Sequence, residues 1–183
     1  MVEEQALVIA LQSAEQQEEA FRNLISQYKE RLYWHIRKIV LDHDDADDVL
    51  QNTFIKVYKN IDSFKGDSKL YTWMYRIATN EAITCINKRA KRANVSIEVV
   101  KENAIANLKT DVYFEGSEIQ LKLQQAIATL PPRQQLIFNM KYFDDITYED
   151  LSKILDTSVG GLKSSYHIAV QKIKHFLEND KTF

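Results

Sequence analysis

The chain of 183 residues is poor in the residues that interrupt helices or cross-link chains, with four glycines, two prolines and one cysteine. This shortage, together with helical spacing of the apolar residues and almost no strand-like alternation, predicts an all-α protein. A single cysteine excludes an internal disulfide and fits a reducing compartment. The apolar run near the N-terminus is too short to cross a bilayer and follows acidic residues. We therefore expect neither a signal peptide nor a membrane anchor, and a cytoplasmic location.

An excess of one charge is also lacking overall, because 24 basic and 26 acidic residues give a net charge of -2. The distribution along the chain is nevertheless uneven. Between residues 69 and 92 the bases outnumber the acids, since Glu81 is the only acid there. Such a local surplus fits a surface for nucleic acid. The bases are Lys69, Arg76, Lys88, Arg89, Lys91 and Arg92.

Two predicted helices with a polar loop between them, residues 44–92, form the most informative part of the chain. In the first helix, apolar residues recur at helical spacing from Ala46 to Ile61 and predict a buried stripe. Aspartates crowd the start of this helix, where the helix dipole favours negative charge. Asp44 and Asp45 are therefore interpreted as capping residues.

The opposite face of the first helix is polar apart from Ile55. An apolar residue among polar groups suits a surface for a partner protein, although single exposed apolar residues are common. The neighbouring aspartates lack the glycine and the terminal glutamate of a calcium-binding loop, so no metal site is predicted there. This polar face comprises Asp48, Gln51, Asn52, Ile55 and Lys59.

The second helix, predicted from residue 71 to about residue 91, has one apolar and one polar side. The polar side combines bases for phosphates, Trp73 for stacking on a base, and amide or hydroxyl groups for base edges. This combination is typical of nucleic-acid binding, and a solvated face with a half-buried tryptophan is the alternative. The apolar side carries Tyr71, Met74, Tyr75, Ala78, Ala82 and Cys85, and the polar side carries Trp73, Arg76, Asn80, Thr84, Asn87 and Lys88.

The helical spacing weakens between residues 93 and 118, where polar, charged and short apolar pieces are mixed. This stretch is predicted to be a flexible linker. Fully extended, about 25 residues reach ~80 Å, which would let two domains sit apart on a large partner. A connector that folds back onto a compact protein is the alternative.

The C-terminal part, residues 119–183, predicts a helix-turn-helix. Thr147 is expected to cap a short helix with Asp150 at its third position, and a turn at residues 156–158 leads to the last helix. Two helices joined by such a short turn are typical of DNA-binding proteins. A helical hairpin without a DNA role is the alternative. The outward face of the last helix carries Lys163, Ser164, His167, Ile168, Gln171, Lys174 and His175.

Two stretches of the sequence resemble one protein family. Residues 45–82 carry D-V-x-Q-x-x-F, then F-x-G-x-S, then T-W-M-x-x-I-A-x-N, and resemble region 2 of bacterial extracytoplasmic-function (ECF, group IV) sigma factors. Residues 130–177 begin with L-P-P, continue through I-T-Y-E-D-L to S-V-G-G-L-K-S, and resemble sigma region 4. With region 2 ahead of region 4, the resemblance covers nearly the whole chain.

The resemblance implies two helical domains, region 2 in residues 1–92 and region 4 in residues 119–183, joined by a linker at 93–118. The protein would bind core RNA polymerase and direct promoter recognition, DNA melting and transcription initiation. It would not be an enzyme and would need no catalytic residue, cofactor or metal. An anti-sigma factor is a further expected partner. The docking face on the polymerase would comprise Asp48, Gln51, Asn52 and Ile55.

The same resemblance implies two sites for promoter DNA. Region 2 would open the minus-ten element and capture a flipped base, using Phe64, Lys65, Ser68, Lys69, Trp73, Arg76, Asn80 and Lys88. Region 4 would hold the minus-thirty-five element through Lys163, Ser164, Ser165, His167 and Gln171. The near-neutral net charge agrees with a protein that binds DNA mainly as part of the polymerase.

The recognition helix departs from the family pattern, because Ser165 and Ile168 stand where arginines are common. This leaves open which bases are recognised. A stand-alone helix-turn-helix regulator, which would bind promoters as a dimer without polymerase, is the main alternative. A metal-dependent helical enzyme built on the carboxylates of residues 42–48 is a remoter one, since no second carboxylate group has suitable spacing.

Overall fold

The computed structural model describes residues 2–97, 99–100 and 118–179. Within these ranges the regular elements are helices and no strand occurs, so the predicted all-α class is confirmed. The helices are α1 (Val2–Leu11), α2 (Gln17–Val40), α3 (His43–Asn60), α4 (Leu70–Ala93), α5 (Glu118–Ala128), α6 (Pro132–Tyr142), α7 (Tyr148–Leu155) and α8 (Val159–Asn179), and a 3-10 turn (Ile61–Ser63) follows α3.

The first half of the molecule is built on α2, α3 and α4, which pack against one another, with α1 against α2. Their apolar stripes meet in a core where Ile36, Val57 and Met74 are fully buried. Tyr58, in the predicted stripe of α3, is an exception. It is 44% exposed and lies edge-on to Phe21, with ring centroids 4.9 Å apart. Helical spacing predicted the other buried positions on this face of α3, because a long amphipathic helix buries one face. On α4 the predicted Met74, Tyr75, Ala78 and Ala82 are buried, whereas Tyr71 and Cys85 are half-buried.

The cap of α3 differs from the prediction, because the capping residue is Asp42 and not Asp44 or Asp45. Asp42 has an extended backbone (φ -133°) and its side chain accepts a hydrogen bond from the Asp45 amide, at 3.0 Å. The Asp45 carboxylate instead binds Arg89 of α4 at 2.7 Å. One predicted phosphate-binding base is thus committed to holding α3 against α4.

The second half contains the predicted helix-turn-helix. Pro132 opens α6, as the fixed φ of proline favours. Thr147 caps α7 by accepting the Asp150 amide at 3.1 Å, as predicted. Asp156 ends α7 with a left-handed backbone, φ 51°, and α8 begins three residues later at Val159. The turn between the two helices therefore lies at the predicted residues.

The two halves share a packed interface, with α7 against α4 and α6 against α2. Buried residues of α6 and α7, such as Met140 and Leu151, belong to the same apolar cluster as the core of α2–α4. A second, smaller cluster joins α5, α6 and α8. Most of the predicted linker, residues 98 and 101–117, lies outside the described residues, and the predicted domain limits stay a prediction.

Candidate nucleic-acid interface

The predicted docking face on α3, called here the α3 surface, is open to solvent. Its members lie on the side of α3 that faces away from α2 and α4, and Ile55 is 44% exposed. The structure thus places an apolar side chain at the centre of an uncovered polar face. The α3 surface consists of Asp48, Gln51, Asn52 and Ile55, all exposed.

The loop between α3 and α4, with the start of α4, carries the predicted minus-ten residues and is called here the loop surface. Gly66 has φ +77°, a backbone conformation that suits glycine. Phe64 is buried and packs on Trp73, with ring centroids 5.3 Å apart. Lys65, Lys69, Arg76, Asn80 and Lys88 are exposed, and Ser68 and Trp73 are half-buried.

A cavity of about 500 Å³ lies between the loop surface and α7. Phe64, Trp73 and Arg76 line one side, and Lys153 and Asp156 line the other. The Lys153 ammonium donates a hydrogen bond to the Asp67 carbonyl oxygen at 3.3 Å. The helix-turn-helix therefore closes one wall of the space in which a flipped base is predicted to bind.

Asp150 of α7 is the main polar contact between the helix-turn-helix and the loop surface. Its carboxylate accepts a hydrogen bond from the Tyr71 hydroxyl and another from the Thr72 hydroxyl at 3.3 Å. The Lys69 ammonium lies 3.5 Å from the same carboxylate. Burial favours a higher pKa for Asp150, but the hydrogen bonds from Tyr71 and Thr147 and the charge of Lys69 outweigh burial and lower the pKa.

Burial and the hydrogen bond to Asp150 raise the pKa of Tyr71 to about 12. Its hydroxyl is therefore protonated and able to donate at any physiological pH. The phenol of Tyr71 donates and the carboxylate of Asp150 accepts. The raised pKa of Tyr71 and the lowered pKa of Asp150 therefore both reflect this one hydrogen bond between the halves.

Asp144 forms a second contact between the halves, on α2. It is buried, and its carboxylate binds the Lys38 ammonium and accepts from His35 Nδ1 at 2.9 Å. His35 Nε2 lies 2.9 Å from the Thr79 hydroxyl of α4, and Arg31 donates to the Asp144 carbonyl oxygen at 3.1 Å.

Burial works against the charged form of Asp144, yet His35 and Lys38 lower its pKa below the ordinary value. No local sequence pattern indicated this cluster, because His35 and Asp144 are 109 residues apart. Only the packing of α2 against the segment after α6 brings them together.

The outward face of α8, called here the α8 surface, carries the predicted minus-thirty-five residues, of which all but Ser165 are exposed. Ser165 is half-buried, and Ile168 is 45% exposed. The first turn of α8 is held by a hydrogen bond from the Gly161 amide to the Ser158 hydroxyl at 3.2 Å. The exposed members are Lys163, Ser164, His167 and Gln171.

Within the described ranges no group of His, Cys, Asp or Glu side chains is arranged to hold a metal ion. Cys85 is a free thiol on α4. Burial and the neighbouring Asp45 raise its pKa to about 11, so it is an unreactive thiol at neutral pH. The helices in the described part of the chain include none long and apolar enough to span a membrane.

Comparison with known proteins identifies both halves of the chain. Residues 24–92 match the family Sigma-70 region 2, and residues 120–173 match Sigma-70, region 4. The ECF RNA polymerase sigma factor SigW of Bacillus subtilis is 31% identical over 158 residues, which cover 82% of this chain and 84% of SigW. The chain belongs to the ECF sigma factors.

Other relatives agree with this membership. The ECF sigma-E factor of Haemophilus influenzae is 29% identical over 183 residues, covering 96% of this chain and 95% of the relative. As an ECF sigma factor the protein directs transcription initiation and is not an enzyme, and the stand-alone regulator is not favoured.

Two solved structures share the fold. CnrH, in complex with the cytosolic domain of CnrY, has a TM-score of 0.71 at 18% identity and covers 97% of this chain and 99% of its own. RpoE of Bartonella quintana, in complex with the anti-sigma factor NepR, has a TM-score of 0.67 at 21% identity and covers 88% of this chain and 98% of its own.

Proposed function

We propose that this sigma factor, of group IV within the family, docks on core RNA polymerase through the α3 surface. The observation that carries the proposal is the exposure of all four predicted docking residues on a face that no other described part of the chain covers. Ile55 supplies an apolar anchor, and the acid and amides around it supply a polar rim. A small apolar centre with a polar rim is the usual anatomy of a specific protein interface.

The loop surface would then bind the minus-ten element. Trp73 is half-buried on Phe64, so its ring is held in place by packing and pre-organised to stack on an unpaired base. Arg76 and Asn80 lie one and two turns further along the same face of α4, where they can contact phosphate and base edges. Extruding a base costs a few kcal/mol, which stacking inside a closed pocket offsets. Phe64 would act by supporting Trp73 because it is itself buried.

The α8 surface would hold the minus-thirty-five element in the major groove. A helix-turn-helix places the start of its second helix against base edges, and here that start carries Lys163, Ser164 and His167. Gln171 lies one turn beyond His167 and can donate and accept at a base edge. The half-buried Ser165 supports this helix more than it contacts DNA.

The protein would act in the cytoplasm and be held inactive by an anti-sigma factor. Both solved relatives described above are complexes, with CnrY in one case and the anti-sigma factor NepR in the other. An inhibitor that covers the α3 surface would prevent docking on the polymerase. Core polymerase, promoter DNA and an anti-sigma factor are therefore the proposed partners.

Co-purification with core RNA polymerase tests this function. We expect the wild type to associate with core polymerase and to start transcripts from genomic fragments that share minus-ten and minus-thirty-five sequences. The double variant Asp48→Ala/Gln51→Ala should lose at least about tenfold in polymerase affinity, because it removes polar partners from the centre of an interface. The matched control is Gln27→Ala/Glu30→Ala, which removes an exposed amide and an exposed acid from α2, outside the α3 surface, and should bind as the wild type does.

Two results would contradict the proposal. If the Asp48→Ala/Gln51→Ala variant associates as well as Gln27→Ala/Glu30→Ala, the docking face is wrong. If the wild type ignores core polymerase yet retains promoter fragments by itself, the protein acts as a stand-alone regulator.

A further inference from the structure

The contact at Asp150 joins a carboxylate of the helix-turn-helix to three donors of the loop surface. The donors are the Lys69 ammonium, the Tyr71 hydroxyl and the Thr72 hydroxyl. They come from three of the four positions 69–72, where the loop enters α4, so a single oxyanion from outside this half can reach all three. Thr72 also lines the cavity beside Trp73. The cluster thus lies at the edge of the predicted base pocket.

A phosphate group can replace the carboxylate in such a cluster. Both are anions that accept hydrogen bonds through two oxygens, which are the carboxylate oxygens in one case and the two non-bridging oxygens of a backbone phosphodiester in the other. Contacts of lysine, tyrosine and threonine side chains with phosphate oxygens are common in protein–DNA interfaces, where they position the protein. The donor set that holds Asp150 is therefore chemically suited to the backbone of DNA.

Promoter binding at both elements is incompatible with the packed arrangement of the two halves. Along the chain, the path from Asp150 through α7 and the turn to His167 is at most about 35 Å long, at 1.5 Å per residue in the helices. In the packed arrangement the α8 surface therefore lies within about 35 Å of the donors that bind Asp150. Elements centred near minus ten and minus thirty-five are about 25 base pairs apart, or roughly 85 Å at 3.4 Å per pair. The two halves must separate before both surfaces can contact one promoter, and Asp150 then leaves its donors.

We propose that Lys69, Tyr71 and Thr72 form a phosphate-binding site for the minus-ten strand, and that Asp150 occupies this site while the two halves are packed together. Closing of the molecule and binding of promoter DNA at the loop surface are then mutually exclusive. This inference rests on the proposed function, because that function supplies the DNA. The contacts of Asp144 with His35 and Lys38 hold the closed arrangement from a second point.

The test uses the free full-length chain and a fluorescein-labelled 20-residue oligo(dT), with fluorescence anisotropy as the readout of affinity. Asp150→Asn removes the competing charge while it keeps the size of the side chain. We expect it to bind the oligonucleotide about tenfold more tightly than the wild type. Asp145→Asn is the matched control, since it makes the same change of net charge on a side chain that is 95% exposed. It should change the affinity by less than about twofold.

The phosphate site itself is tested by adding Tyr71→Phe/Thr72→Val to Asp150→Asn. These changes remove two hydroxyl donors and keep the shapes of the side chains, so most of the tenfold gain should disappear. If the gain persists, the hydroxyls only hold the halves together and the proposal is wrong. Equal gains for Asp150→Asn and Asp145→Asn would also overturn it, because net charge would then explain the result.

Separation of the halves is measured in parallel by energy transfer between dyes at Lys59→Cys and Lys174→Cys, in a Cys85→Ser background. Asp150→Asn should lower the transfer efficiency. If circular dichroism shows that this variant is misfolded, Asp144→Asn opens the molecule at the other contact and should bind oligo(dT) about fivefold more tightly. The same two hydroxyl changes should then abolish that gain, and a persisting gain would contradict the proposal.

The measurement with oligo(dT) contains no polymerase. A failure to bind core polymerase would contradict the proposed function and leave these affinities unchanged. If the phosphate site is wrong, the affinities for oligo(dT) would differ from those expected, and docking on core polymerase through the α3 surface would be unaffected.

Discussion

The loop surface and the α8 surface, the two regions predicted to contact promoter DNA, differ in how far the molecule covers them. The donors of the loop surface bind Asp150, and α7 closes one wall of its cavity. The α8 surface exposes Lys163, Ser164, His167 and Gln171. The packing of α7 on α4 explains both observations. The first turn of α7 contacts α4, and the outward face of α8 remains exposed to solvent.

If both surfaces bind DNA as proposed, the helix-turn-helix exposes its own DNA-binding face while it covers that of the neighbouring domain. In the packed arrangement, the protein is expected to recognise a minus-thirty-five element weakly and a minus-ten element hardly at all. Separation of the halves is expected to change only the recognition of the minus-ten element. Substitutions in the interface, in the loop surface and in the α8 surface change one of these regions at a time.

The largest expected effect is on the interface itself. Asp144→Asn leaves the half-buried Lys38 without its anionic partner, so the free energy of unfolding of the packed arrangement should fall by about 3 kcal/mol. Urea titration of the dye-labelled chain, followed by energy transfer, measures this change. Asp145→Asn, one residue away and exposed, should stay within about 0.5 kcal/mol of the wild type. Equal losses for the two variants would show that Asp144 does not hold the halves together.

A smaller effect is expected on DNA melting. Trp73→Ala removes the ring predicted to stack on an unpaired base, at a cost of about 2 kcal/mol, or roughly 30-fold in open-complex formation. Permanganate footprinting of unpaired thymines in the polymerase complex measures it. Trp34→Ala is the control, because Trp34 is an exposed tryptophan on α2, outside the loop surface. Unchanged melting in Trp73→Ala would remove Trp73 from the minus-ten site.

The smallest effect is expected at the uncovered surface. Lys163→Ala/His167→Ala should weaken binding of the holoenzyme to a fragment that carries the minus-thirty-five element by about tenfold. The dependence of the affinity on salt should also become shallower, since one phosphate contact is lost. Competition binding at several salt concentrations measures both quantities. Lys172→Ala, whose ammonium binds Gln134 at 3.1 Å, is the control, and a comparable loss there would argue against a specific α8 surface.

Much of the fold follows from local spacing. The apolar stripes of α3 and α4, the proline at the start of α6 and the cap of Thr147 each depend on residues within a few positions of one another. Exposure of the α3 surface follows in the same way, since a helix that buries one face presents the other. The family motifs lie on these same local elements, so the sequence could indicate both membership and candidate residues.

Other features depend on which parts of the chain meet. Asp42, and not its neighbours, caps α3, because the left-handed Leu41 after α2 directs the chain into an extended residue there. Phe64 was predicted to bind DNA, but it is buried on Trp73 once the loop folds over α4. Arg89 was counted among the bases for phosphate, yet it binds Asp45. For Phe64 and Arg89, a contact with a residue of another element decides where the side chain lies.

Helical periodicity and motif order along the chain were sufficient for the all-α class, for the helix-turn-helix and for the candidate surfaces, because each is written in residues a few positions apart. The contacts of Asp144 with His35 and of Asp150 with Tyr71 connect residues 109 and 79 positions apart. Such pairs carry no local pattern, and their partners are chosen by how α6 and α7 pack on α2 and α4. That packing alone leaves one DNA surface covered and the other open.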